Sequence, residues 1–189
     1  MKTLIAGLIC TFTIACASAQ RFDDSAQRMA AQRTAMQSLA MIDGVWRGPA
    51  VTTLPDGKKF ELTQTERVGP FLEGAVKVIE GRGYGPDGKT VFNAFGTISY
   101  EPSTQKYTLH SHAQSHAGAF PLKATGEGFM WEMPAGPMTM RFTTTIKDGT
   151  WTEIGERIMP GGQVVRFFEM KLKRVGDTSW PAGDAVNPK

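Results

Sequence analysis

Apolar and polar residues alternate along most of this chain, and the alternation limits the folds that it can adopt. From Trp46 to Val175 the pattern has a period of two, the spacing at which successive side chains of a β-strand point to opposite faces. In the clearest run, Met138, Met140 and Phe142 alternate with polar residues. One apolar face and one polar face are typical of an antiparallel sheet that covers a core on one side.

Turn-forming residues interrupt this alternation nine times and so predict ten strands. Glycine supplies positive φ, and proline fixes φ at the first corner of a turn. Asp-Gly pairs flanked by alternating residues indicate tight hairpins. The predicted turns lie at 55–57, 69–70, 86–88, 101–103, 117–118, 126–128, 134–137, 147–149 and 160–162.

Ten short strands joined by consecutive hairpins, with no crossover helix, favour a closed barrel. An open sheet would leave two edges exposed, and closure removes them. A sandwich normally needs longer Greek-key connections, which this pattern lacks. We therefore predict an all-β fold, an antiparallel up-and-down barrel of about ten strands over residues 44–176. One N-terminal α-helix precedes the barrel, and a flexible tail, residues 177–189, follows it.

The segment before the barrel, residues 20–43, is predicted to form that helix. Residues 23–40 are rich in Ala, Gln, Met and Arg and contain neither Gly nor Pro, which favours an amphipathic helix of about 16 residues ending near Gly44. Asp24 and Gln27 have the spacing of a capping box. Such a helix packs on or plugs the domain that follows, and a role as a lid over a binding site is the alternative.

Residues 1–19 have the pattern of a secretory signal peptide. Lys2 precedes the apolar run Leu4–Ala17, and small residues follow at the cleavage site. The run has 14 residues, fewer than the roughly 20 that a membrane-spanning helix needs. We therefore expect a protein of the periplasm, or a secreted one, without a transmembrane segment. A lipid anchor at Cys16 is the disfavoured alternative, because Thr13 stands where a lipoprotein signal usually has Leu.

Removal of this leader changes what the composition allows. The 189 residues less these 19 leave 170, and the formal net charge falls from +3 to +2 because Lys2 is the only charge lost. Cys10 and Cys16 are lost as well, which excludes a disulfide scaffold and a cysteine-based zinc site in the mature chain. The nearly neutral charge gives no electrostatic basis for binding nucleic acid. A chain of this length can still bury one well-formed core.

Gly44-Val45-Trp46 opens the first predicted strand directly after the helix. A Gly-x-Trp at this place, followed by consecutive hairpins, resembles the lipocalin-like (calycin) barrels. More narrowly, the chain resembles a bacterial lipocalin-like family catalogued as domain of unknown function 1579, over about residues 40–175. The matching stretches are 44–48, 71–74 and 95–100, with Tyr107 after the next turn. The resemblance implies a barrel whose end is closed by Trp46, with Arg174 of the last strand stacked on it, and it implies no activity.

Apolar side chains on the inward faces of the later strands predict a ligand-binding cavity. A barrel of eight strands is just filled or holds one ligand, and ten strands enclose more room. An apolar cavity with few polar groups is the usual form of a small-molecule site. The predicted lining residues are Phe129, Trp131, Met138, Met140, Phe142 and Phe168. We therefore predict an exported protein that binds a small, largely apolar molecule; a packed barrel with a structural or interaction role is one alternative.

A second alternative rests on the three histidines, which lie within seven residues of one another. His110 and His112 point to the same side of a strand, and His116 follows closely. Converging imidazoles bind zinc or copper, so a periplasmic metal-binding protein is the alternative function. Four methionines between residues 130 and 140 add thioethers suited to copper, although methionine more often fills cores. The apolar residues of the histidine strand lie on its opposite face, which favours solvent-facing histidines.

Signals for catalysis are weak. The chain has no Gly-x-Ser-x-Gly elbow, no cysteine remains in the mature protein, and the glycines of residues 81–85 lack the spacing of a phosphate-binding loop. Glu61, Glu66, Glu73 and Glu80 are scattered over two strands, where solvated carboxylates are routine. A pair of them is a conceivable acid and base, but no complete catalytic set can be assembled. The sequence therefore identifies no catalytic residue and no cofactor.

Overall fold

The computed structural model describes residues 12–181, and side-chain environments from residue 24 onward. It contains helix α1 (Phe12–Gln37), a short 3₁₀ turn (Ala40–Ile42) and ten strands. The strands are β1 Gly44–Thr53, β2 Lys59–Phe71, β3 Val76–Tyr84, β4 Thr90–Glu101, β5 Lys106–Ala113, β6 His116–Ala124, β7 Gly128–Ala135, β8 Met138–Lys147, β9 Thr150–Ile158 and β10 Val164–Gly176. The first part of the predicted signal peptide and most of the predicted tail lie outside the described residues.

The ten strands form one closed antiparallel barrel. Each strand pairs with its neighbours in sequence, and β1 pairs with β10 to close the sheet. At this seam Trp46 lies opposite Arg174, and Ala50 lies opposite Met170. The predicted fold class is therefore confirmed. Within residues 12–181, no helix has the length and apolar character needed to span a bilayer.

Two of the nine predicted turns lie elsewhere. Gly69-Pro70 belongs to β2, and the turn follows at residues 72–73; Ala117-Gly118 belongs to β6, and the turn precedes it at residues 114–115. Residues 72–73 and 114–115 are not glycines, yet they adopt φ between 49° and 67°. The prediction placed these turns at the nearest Gly and Pro, because those residues favour turns. In the structure the left-handed conformation is adopted by Leu, Glu, Gln and Ser, which adopt it less readily. The number of strands is unaffected.

The helix begins earlier and ends sooner than predicted. It runs from Phe12 to Gln37, so Asp24 lies in its interior and the predicted capping box at Asp24 and Gln27 is wrong. A capping box needs the free N–H groups of a helix start, which the middle of a helix does not offer. Residues 12–22 contain neither Gly nor Pro, so nothing in that segment stops the helix. The 3₁₀ turn then leads through Asp43 into β1.

The end of helix α1 and the 3₁₀ turn that follows it plug one end of the barrel. Met36, Leu39 and Ile42 are at most 1% exposed and belong to the main hydrophobic core. The hydroxyl of Tyr107 donates a hydrogen bond of 2.7 Å to the carbonyl of Ala35, which ties the helix to β5. We call this end the floor; it carries the turns at 72–75, 102–105, 125–127 and 148–149. The opposite end, with the turns at 54–58 and 85–89, is the mouth.

Candidate ligand-binding cavity

A cavity of about 470 Å³ lies inside the barrel between the floor and the mouth. Near the mouth its lining includes Phe60 and Val91, which are 44% and 42% exposed. Deeper in the barrel the lining includes Trp151, Phe129 and Met170, all buried. Most other lining side chains are aromatic or aliphatic. In the described residues, the cavity therefore opens at the mouth and is closed by the plugged floor.

One wall of the cavity is aromatic. Trp131 and Phe142 lie opposite each other on β7 and β8, and their rings stack at a centroid distance of 4.5 Å and an angle of 13°. Phe168 meets Phe142 edge-on at 6.2 Å, and Phe120 lies 5.5 Å from Trp131. Gly155 leaves room for these rings, because a Cβ there would lie 2.8 Å from Cβ of Phe168. The wall is suited to flat or branched apolar groups.

The six predicted lining residues fall into two groups. Phe129, Trp131, Phe142 and Phe168 line the cavity. Met138 and Met140 begin β8 at the mouth and lie outside the lining set, whereas Met133, opposite Met140, belongs to it. Alternation along a strand gives the face on which a side chain lies, but it does not give its height in the barrel.

Trp46 lies at the floor and is 1% exposed. Its ring meets that of Trp151 edge-on at 5.6 Å, and its Nε1 donates a hydrogen bond of 2.8 Å to the carbonyl of Ile42. The guanidinium carbon of Arg174 is 6.0 Å from the Trp46 ring centroid, at the outer limit of a cation–π contact. Arg174 also donates a hydrogen bond of 3.3 Å to the carbonyl of Asp43. Trp46 thereby joins the plug, the floor and the barrel seam.

The three histidines are exposed, but they do not share one face of the sheet. His110 and His112 lie on the outer side of the barrel, because Ser111 between them lines the cavity. His116, on the next strand, lies opposite the lining residue Ala113 and so belongs to the inward-facing side at the mouth. Among residues with described side chains, no three His, Cys, Asp or Glu come together so that they could hold a metal ion. Metal binding by the histidines stays a prediction.

Two glutamates also line the cavity, and the sequence analysis missed their role. Glu66 on β2 is 9% exposed and accepts a hydrogen bond of 2.7 Å at Oε1 from Nε2 of Gln64. Glu153 on β9 accepts a hydrogen bond of 2.6 Å at Oε2 from the hydroxyl of Thr144. The available signal was the position of Glu66 on the face that carries Leu62 and Val68. That face points inward, so Glu66 could not be a solvated surface residue.

Burial controls the titration of both carboxyls. Desolvation raises the pKa of Glu66 to about 8, and the charges of Glu153 and Glu80 act in the same direction, against the hydrogen bond from Gln64. Desolvation likewise raises the pKa of Glu153, against the hydrogen bond from Thr144. Gly81 leaves space for Glu66, because a Cβ at that position would lie 2.8 Å from Oε1 of Glu66.

The closed ten-stranded barrel, the plugged floor and the internal cavity together define a class, the small antiparallel β-barrels with a ligand-sized interior. Among solved structures, the chain is similar to Rv2717c from M. tuberculosis, with 15% sequence identity and a TM-score of 0.56. The match covers 74% of this chain and 96% of that one. At this identity the similarity shows the barrel fold and no activity. No family model and no curated protein matches the chain.

Proposed function

We propose that this protein binds a small, largely apolar molecule noncovalently inside its barrel. The observation that carries the proposal is the cavity, whose volume of about 470 Å³ lies in the range of small-molecule sites. Its lining is mainly aromatic and aliphatic, with a few polar side chains such as Gln64 and Ser111. This is the composition that binds an apolar body by burial and orients it through a small number of polar contacts.

We further propose that the protein acts after export, in the periplasm or as a secreted protein, and that it is related to domain of unknown function 1579. The signal-peptide pattern of residues 1–19 and the short stretches quoted above support these proposals. Mass spectrometry of the protein from its own cells tests the proposal of export. A chain that begins at Gln20 supports export, a lipidated Cys16 indicates an anchored form, and an intact leader contradicts export by this route.

Filling the cavity should abolish binding of an apolar ligand. Ala94 lines the cavity, and its neighbours across the strands, Gly81 and Ala113, are small. A tryptophan at position 94 would therefore occupy ligand space. We expect the neutral dye phenylnaphthylamine to bind the wild type saturably, with a rise in dye fluorescence, and to bind Ala94→Trp at least about tenfold more weakly, a loss of roughly 1.4 kcal/mol.

Ala119→Trp is the matched control. Ala119 lies opposite His110 on the outer face and is exposed, so the same ring is added outside the barrel. This variant should bind the dye like the wild type, and urea unfolding of both variants shows whether they are folded. Equal dye binding by Ala94→Trp and the wild type would contradict the proposal, as would the absence of saturable binding to the wild type.

A further inference from the structure

The acidic groups of the cavity lie towards the floor. Glu66 and Glu153 are the only ionisable side chains among the lining residues of the described chain. Glu66 lies opposite Trp46, and Glu153 lies two residues after Trp151 on the same strand. Both side chains line the same cavity, and the charge of Glu153 acts on Glu66. The inner end of the cavity is therefore the place where a polar group of a ligand would be held.

Neither carboxyl is neutralised by a basic residue. In the part of the chain with described side chains, no Lys, Arg or His nitrogen lies within 4.0 Å of Glu66 or Glu153. Gln64 and Thr144 each donate to one oxygen of a carboxyl, which leaves the second oxygen of each without a hydrogen bond from the described side chains. Among the described side chains, the two acids therefore have no counter-charge at ion-pair distance.

Glu66 itself has hydrogen-bonding capacity that the described residues do not use. Its side chain is nine-tenths buried and lines the cavity, and among the described side chains only Gln64 donates to it, at Oε1. Buried polar atoms are usually paired, because an unpaired one is costly. Oε2 of Glu66 is therefore available as an acceptor at the inner end of the cavity.

Burial of an unpaired carboxylate is unfavourable, and an apolar side chain of similar size would make a more stable barrel. A ligand that brings a positive charge removes this cost, because an ammonium group both neutralises a carboxylate and donates hydrogen bonds to it. We propose that the cavity binds an amphiphile with a basic amine, its apolar body against the aromatic wall and its ammonium group between Glu66 and Glu153. This inference rests on the proposed function and specifies the ligand class.

A series of matched probes separates the two proposals. Naphthylethylamine, naphthylethanol and naphthylacetic acid share one aromatic body and differ in the polar end. Isothermal titration at about pH 8.5 keeps the amine protonated, and the carboxyl of Glu66, whose pKa is about 8, is then mostly ionised. We expect the amine to bind the wild type at least about tenfold more tightly than the alcohol, and the acid to bind most weakly.

The double variant Glu66→Gln, Glu153→Gln keeps the shape of both side chains and removes their charges. Its preference for the amine over the alcohol should fall to near one, and urea unfolding shows whether it is folded. In the control variant Glu61→Gln, Glu156→Gln, the substituted residues lie on the outer face of the same two strands. This control should keep the full preference for the amine.

The outcomes bear differently on the two proposals. Equal binding of amine and alcohol to the wild type would overturn the amine inference and leave the cavity function standing. A preference for the amine that persists in the double variant would overturn the assignment to Glu66 and Glu153. Failure of all three probes and of the neutral dye to bind would overturn both proposals.

Discussion

Replacing Trp46 with alanine should lower the free energy of unfolding by about 3–5 kcal/mol, the usual cost of removing a buried tryptophan. The ring is 1% exposed, packs against Trp151 and donates its N–H to the carbonyl of Ile42. Its loss would leave a cavity between the plug and the floor. In a chain of this length the melting temperature should fall by roughly 6–20 °C, measured by circular dichroism at fixed pH.

Arg174→Met tests the cation–π contribution at the same position. Methionine keeps much of the packing of the arginine stem and removes its charge. Because the guanidinium carbon is 6.0 Å from the ring centroid and the side chain is 38% exposed, the expected loss is small, at most about 1 kcal/mol. A loss as large as that of Trp46→Ala would mean that the charge, rather than the burial of the ring, holds the floor together. A loss below about 1 kcal/mol for Trp46→Ala would contradict the plug as a stabilising element.

The free energy of unfolding should depend on pH through the carboxyl of Glu66. The pKa of this carboxyl is about 8 in the folded protein against an ordinary value of 4.5. Between these values the folded state keeps the proton and the unfolded state has lost it, so stability falls as the pH rises. The slope for one such group approaches about 1.4 kcal/mol per pH unit and returns to zero above the folded pKa. The pKa of Glu66 is raised by burial and by the charges of Glu153 and Glu80, and the hydrogen bond from Gln64 opposes the rise.

Glu66→Gln should therefore become progressively more stable than the wild type as the pH rises. Below the ordinary pKa of 4.5, the carboxyl of Glu66 is neutral in the folded and in the unfolded state, so near pH 4 the two proteins should unfold at nearly the same urea concentration. The difference should grow towards pH 8 and then stay constant. Glu61 is an exposed glutamate on the outer face of the same strand. The stability of Glu61→Gln should therefore change with pH in the same way as that of the wild type. Parallel curves for Glu66→Gln as well would show that Glu66 does not titrate in this way.

Most of the fold could be predicted from the sequence because the barrel depends on two local signals. Period-two alternation gives the strands, and turn chemistry gives their number. The errors arose where a local signal was ambiguous. Residues 72–73 and 114–115 adopt positive φ without being glycine, and the interior of helix α1 contains the sequence of a capping box at Asp24. At the turns, residues that rarely adopt positive φ do so, and in the helix no Gly or Pro stands before Asp24 to stop it.

The site was less predictable, since its geometry depends on position along the barrel axis. Phe129 and Trp131 line the cavity, whereas Met138 and Met140 begin their strand at the mouth and lie outside the lining. Glu66 could have been assigned to the interior, because it shares one face of β2 with Gln64 and Val68. That Glu153, on a different strand, lies near Glu66 follows only from closure of the barrel, which no local pattern contains.

The plugged floor limits how a ligand could exchange. As formed by the described residues, the interior opens at the mouth and is closed at the floor. Under the proposed function, a ligand would therefore enter and leave by the same path, and release of one ligand would have to precede entry of the next.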